Sequence, residues 1–135
     1  MVLLIDTNIV LDVLLNRPEF VKDSALIRKL CETEQAKGYI STLTYANMMY
    51  IMRKQLTPDQ IEDVFRKLNL IFEFADFGPT VLERAVNMKW KDFEDVVQSA
   101  TAEWVHADYI ITRNLKDFTK SKVIAFTPAE FLARI

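Results

Sequence analysis

Four aspartates are placed where chemistry could be done: Asp6, Asp92, Asp95 and Asp117. Asp6 directly follows the apolar run Met-Val-Leu-Leu-Ile, and Asp117 lies just past a second run at 109–112, behind Thr112, Arg113 and Asn114. Asp92 and Asp95 open a stretch with helical periodicity, three residues apart and so on one side of it. Carboxylates converging from separate elements repel one another unless a cation lies between them. Mg²⁺ suits oxygen ligands and keeps several of its waters. Such an ion polarises a phosphoryl oxygen and activates water for attack on phosphorus, with no histidine needed as base. The one histidine, His106, falls at the far end of a helix.

Each acid also has a structural reading. Asp6 can cap a helix, Asp92 and Asp95 fit a capping pair that favours the helix dipole, and Asp117 can stabilise a turn. What sets them apart is joint placement after strands. Asn8 can buttress Asp6, because ligand carboxylates need outer partners. Asn47 lies one turn into the helix after a second strand. Asp12, inside the first helix, and Glu94, about a quarter-turn from Asp95, read as solvated or secondary. His106 reads as a surface or helix-end residue, and Tyr45, Met48, Met49 and Met52 as core.

The elements that must position these residues alternate along the chain. Apolar runs at 1–5, 38–41, 70–74, 109–112 and 123–126 read as strands. Helices are predicted from Asp6 to about Leu15, Glu19 to Lys37, Thr44 to Gln55, Thr57 to about Leu68, Gly78 to about Lys89, Asp92 to His106, and after Thr127-Pro128. In the helix from Asp92, Phe93, Val96, Val97, Ala100 and Trp104 form an apolar stripe. Alternating strands and helices indicate a three-layer α/β/α fold with a mainly parallel central sheet of four or five strands. In open sheets of this kind ligands bind at the carboxyl ends of the strands, where these acids lie.

Composition sets the frame. The 135 residues are 50% apolar and 27% charged, as expected for one globular domain spanning 1–135. A single cysteine, Cys31, excludes an internal disulfide and reads as a small buried residue. The start shows no basic leader and no run reaches membrane-spanning length, so a cytoplasmic protein with no membrane association is expected. A net charge of −2 argues against binding nucleic acid through phosphates alone. That objection weakens if the acids surround a cation, which reverses the local charge.

The stretches LIDTNIVLD and KDFEDVVQSATAEWVHADYIITRNLKDF resemble the first, third and fourth motifs of the PIN-domain family, and the resemblance continues to the ending FTPAEFLARI. It implies a PIN-like fold and a ribonuclease that uses Mg²⁺ or Mn²⁺ to hydrolyse RNA, leaving a 5′-phosphate. By position it implies metal carboxylates at Asp6, Asp95 and Asp117, with Asp92 auxiliary and Asn114 a polar neighbour. Thr112 and Asn8 fall beside them as supporting or substrate-positioning residues. It further implies a homodimer and an antitoxin partner, as in VapC-like toxins. One departure stands out: in STLTYANMMY, Asn47 takes the place where the second motif usually supplies a Glu.

Arg113 and Lys116 are the first candidates for contacts to RNA phosphates, with Lys120, Lys122, Arg53 and Lys54 behind them. The main rival is a non-catalytic PIN-like module binding RNA or protein, favoured by Asn47. A phosphoryl-transfer enzyme with Asp6 as covalent nucleophile ranks lower, because no clear Lys and Ser/Thr pair accompanies it.

Overall fold

Short apolar strands bury both faces only if helices cover both sides, and the computed structural model, which describes residues 1–135, shows this arrangement. The strands are β1 (Val2–Ile5), β2 (Lys37–Ser41), β3 (Glu73–Ala75), β4 (Tyr109–Ile111) and β5 (Ile124–Phe126). The helices are α1 (Thr7–Leu14), α2 (Val21–Glu32), α3 (Thr42–Met52), α4 (Pro58–Ile71), α5 (Pro79–Met88), α6 (Phe93–Trp104) and α7 (Pro128–Leu132). A 3₁₀ turn spans Leu115–Phe118. The sheet order is β3-β2-β1-β4-β5, and every pairing is parallel. The three-layer fold expected from the sequence is therefore present, with five strands.

Alternation along each strand decides which layer a residue joins. Leu3, Ile5, Ile40 and Ile111 pack with residues of α1, α2, α3, α4 and α7 in the larger core. Leu4 and Ile110 point the other way, against Ala102 of α6 and Phe118. Helix α6 is held from two sides, since Val96, Val97 and Ala100 pack on Val81 and Ala85 of α5. It is buried over 96–102 as a result.

That double contact corrects the apolar stripe read from the sequence. Val96, Val97 and Ala100 are buried, but Phe93 and Trp104, at the helix ends, are exposed. The third strand also starts later than expected. Helix α4 continues through Ile71, because its period carries Val64, Leu68 and Ile71 to the core and leaves Leu70 in solvent. Helix α3 starts at Thr42, two residues early, because Ser41 rather than Thr44 caps it. The capping boxes Thr57/Gln60 and Thr127/Glu130, each followed by proline at the first helical position, start α4 and α7 as read. No helix is long and apolar enough to cross a membrane.

Cys31 is buried, and burial pushes its thiol up to about 12, which keeps it protonated and unreactive. It closes against Gly38 at the start of β2. A Cβ at position 38 would stand 2.6 Å from Cys31 Sγ and 2.9 Å from Phe72 Cδ1. Gly38→Ala should therefore cost about 1–3 kcal/mol by overpacking. Adding Cys31→Ala should recover part of that loss, as a positive coupling in denaturant melts of the four proteins of the cycle. Additive costs would show that the contact is not the cause.

Candidate active site

The chain winds from β1 to β2 and β3 on one side, then returns to place β4 and β5 on the other. The crevice at such a reversal lies beyond the carboxyl ends of β1 and β4. Asp6 follows β1 and Thr112 follows β4. The Asp6 backbone N–H donates to Ile111 O at 2.9 Å, fastening the two strand ends together.

The Asp6 side chain is 5% exposed and accepts from four donors. They are Thr112 Oγ1 at 2.7 Å, Thr7 N at 2.8 Å, Asn8 Nδ2 at 3.3 Å and Gln98 Nε2 at 3.3 Å. Burial raises its carboxyl above the ordinary range. The bonds from Thr112 and Thr7 pull it back, Glu94 pushes it up further, and Gln98 lowers it. The Gln98 amide also donates to Thr44 Oγ1 at 2.6 Å and Thr7 Oγ1 at 3.3 Å, so α1, α3 and α6 share one buried polar knot. Gln98 Oε1 has no partner there.

Asp6, Asp92, Glu94, Asp95 and Asp117 line one recess of about 250 Å³, together with Thr7, Asn8, Leu11 and Asn114. No basic side chain is among them. Asp95 is pushed up to about 7, first by burial and then by the charges of Asp92, Asp6, Asp117 and Glu94. Asp92 caps α6 by accepting from Asp95 N at 3.1 Å, so its capping role and its place in the recess coexist. Thr7 Oγ1 donates to Glu94 Oε1 at 3.3 Å. The donor set is all oxygen, which fits a hard divalent ion. No three of the acids stand so as to grip an ion directly between them.

Of the other residues singled out in the sequence, Asn8 and Thr112 touch Asp6. Asn114 lines the recess, with its backbone N–H donating to Thr112 Oγ1 at 3.1 Å. Asn47 does not line it. Thr44, one turn earlier on α3, is the residue of that helix that reaches the polar knot. Lys116 lies in an adjoining groove. Arg113 is turned to Asp12, donating from Nε at 2.9 Å and Nη2 at 3.1 Å, with its guanidinium 3.9 Å from the centre of the Phe20 ring.

Asp12, expected to be solvated or secondary, is fully buried and also takes Arg17 Nη1 at 3.3 Å and Ser24 Oγ at 3.2 Å. Glu94, expected to point away, faces the recess. The sequence reading did not name Thr7, Thr44 or Gln98 among the site residues. The usable signal was the run Gln98, Ser99, Thr101 inside the best helix, where polar residues need buried partners.

Two consequences can be measured. Arg113→Met leaves a buried carboxylate with Arg17 as its one remaining cation, so a denaturant melt should show a loss of about 3 kcal/mol. A loss within error would mean the pair is not held in solution. Asp95 holds its proton up to about pH 7, whereas the unfolded chain releases it near 3.8. The folded state then binds more protons between those values, so metal-free stability falls as pH rises from about 4 to 7 and stays low above. Asp95→Asn removes this dependence, and its Tm advantage in chelator should grow across that window. A constant difference would contradict the assignment.

Residues 2–116 match the PIN domain family model, and the chain belongs to that family. The fold is VapC-like. A chain of a toxin–antitoxin complex from Klebsiella pneumoniae superposes with a TM-score of 0.70 at 26% identity, covering 93% of this chain and 96% of that one. VapBC-1 from nontypeable Haemophilus influenzae gives 0.70 at 16% identity, covering 96% and 99%. VapBC2 from Rickettsia felis, bound to a promoter DNA fragment, gives 0.68 at 18%, covering 94% and 98%. No curated protein shows significant similarity to the chain.

Proposed function

We propose that the recess is the active site of an Mg²⁺- or Mn²⁺-dependent endoribonuclease and that the protein is the toxin of a toxin–antitoxin pair. The observation that carries this is the set of five carboxylates around one recess with no basic partner, one of them raised to about 7. Excess negative charge at a strand-end crevice is costly unless a cation is bound. Membership of the PIN family and likeness to chains of toxin–antitoxin complexes support the same reading.

Asp6, Asp95 and Asp117 would hold the cation, partly through its waters because no three of the acids grip it directly, with Asp92 auxiliary. When bound, it polarises the scissile phosphate and lowers the pKa of a water. Thr112, Asn8 and Gln98 keep the Asp6 carboxylate in one orientation, so it does not have to be rearranged as substrate arrives. Asp95 would have to give up its proton to hold the cation, which would couple metal uptake to pH. Water oxygen bonds to phosphorus, the P–O3′ bond breaks, and a proton released by the water is taken up by O3′, so the products are a 5′-phosphate and a 3′-hydroxyl. A homodimer, an antitoxin that covers the recess, and a cytoplasmic location belong to the same proposal.

A second reading draws on Asn47 and on the absence of three directly gripping acids: a PIN module that binds RNA or protein without cutting. Purified protein separates the two. On the first reading, single-stranded RNA is cleaved with Mn²⁺ or Mg²⁺, cleavage stops with EDTA, and both Asp95→Asn and Asp117→Asn fall to background while keeping the wild-type circular dichroism. Wild-type rates in either variant would remove the acids from the mechanism. RNA binding without cleavage under any metal would favour the module.

A further inference from the structure

A second groove, of about 540 Å³, adjoins the acidic recess and shares Asp92, Asp95 and Asp117 with it. Its other walls are Lys91, Lys116, Lys120, Thr119 and Trp90. None of these lysines is ion-paired, although three aspartates line the same groove. The one paired lysine in the molecule is Lys67, with Asp63 on α4. Trp90 is half-buried and is the single hydrophobic residue of the lining. Its ring meets Phe118 edge-on at 6.3 Å, and it packs against both smaller cores, so the wall it forms is fixed.

We propose that this groove seats the nucleotide next to the scissile phosphate of an unpaired RNA segment. The proposal rests on the ribonuclease reading above and deepens it. The acidic recess on its own repels a polyanion. A bound cation offsets that repulsion at one phosphate, and the neighbouring phosphates remain to be balanced. Lys91, Lys116 and Lys120 supply free ammonium groups one step away. Trp90, partly exposed in the groove lining, would provide the aromatic surface on which a base of any identity can stack. Lysines beside a fixed aromatic ring are the combination that holds single strands with little sequence preference. Stacking on the ring requires an unstacked base, so the groove selects loops and single strands over duplexes.

The test uses the full chain carrying Asp95→Asn to stop cleavage, with a short fluorescein-labelled single-stranded RNA in Mg²⁺. Lys91→Ala/Lys116→Ala/Lys120→Ala should weaken binding by about tenfold or more at low salt. It should also flatten the dependence of log K on log salt by about 2, at roughly 0.7 per lost phosphate contact. Lys22→Ala/Lys29→Ala, on α2 in the opposite layer, controls for lost charge and should change the slope little. Trp104→Phe leaves Trp90 as the sole tryptophan, and RNA should then quench its fluorescence while duplex RNA does not. An unchanged slope in the triple variant, with no quenching, would overturn the seat and leave the lysines to an acidic segment of a protein partner. Cleavage by the otherwise unsubstituted protein is measured in parallel. Its absence under every metal sinks the ribonuclease reading, and the slope and quenching still decide the groove by themselves.

Discussion

A carboxylate almost shut off from water is the constraint around which the rest of this protein is arranged. Asp6 tolerates burial because four donors, from α1, α6 and the end of β4, point at it. Those donors can converge only if β1 and β4 are neighbours and α6 lies across both. The strand order and the double packing of α6 are thus conditions for the site as well as features of the core. Ionised, Asp6 is a fixed negative point that the proposed cation would find already organised.

Helix α1 carries a built-in comparison. Asp6 and Asp12 belong to the same short segment, and both are buried, yet their surroundings are opposite in sign. Asp12 is gripped by Arg113 and Arg17, and its charge is balanced inside the protein. Asp6 faces four other carboxylates and no base. An arginine two residues past β4 lies close enough to Asn8 for its backbone N–H to donate there, but its side chain turns to Asp12. The fold therefore keeps cationic side chains out of the recess while holding one nearby. This imbalance is what the proposed metal would relieve.

The likeness to VapC-type structures is one of layers and strand order, and within that frame α3 brings no acid to the recess. With Asn47 outside the recess, α3 reaches the site through the Thr44 hydroxyl, which ties Ser41, Thr7 and Gln98 together. The negative charge comes instead from the start of α6, where Asp92, Glu94 and Asp95 lie within one turn. The charge of the recess is thereby concentrated on α1, α6 and the 3₁₀ turn.

Much of the fold could be read from local patterns, because each signal is physically local. Apolar runs of strand length, Ser/Thr/Asp caps and helix-start prolines act within a few residues, and they located most elements to within two or three positions. The positions of Asp6 past β1, of Asp117 past β4 and of Asp95 at the start of α6 were legible for the same reason, since each needs only the neighbouring strand or helix to be recognised. Which polar residues turn inward was decided by tertiary structure alone. Gln98, Thr44 and Asp12 lie on helices where sequence periodicity allows either solvent or core. Their partners are up to 101 residues away, and only the β1–β4 pairing and the packing of α6 bring them together. The same long-range packing sent Arg113 to Asp12 and left Trp104 in water, because a side chain's direction depends on what faces it, and the chain learns that only once the layers close.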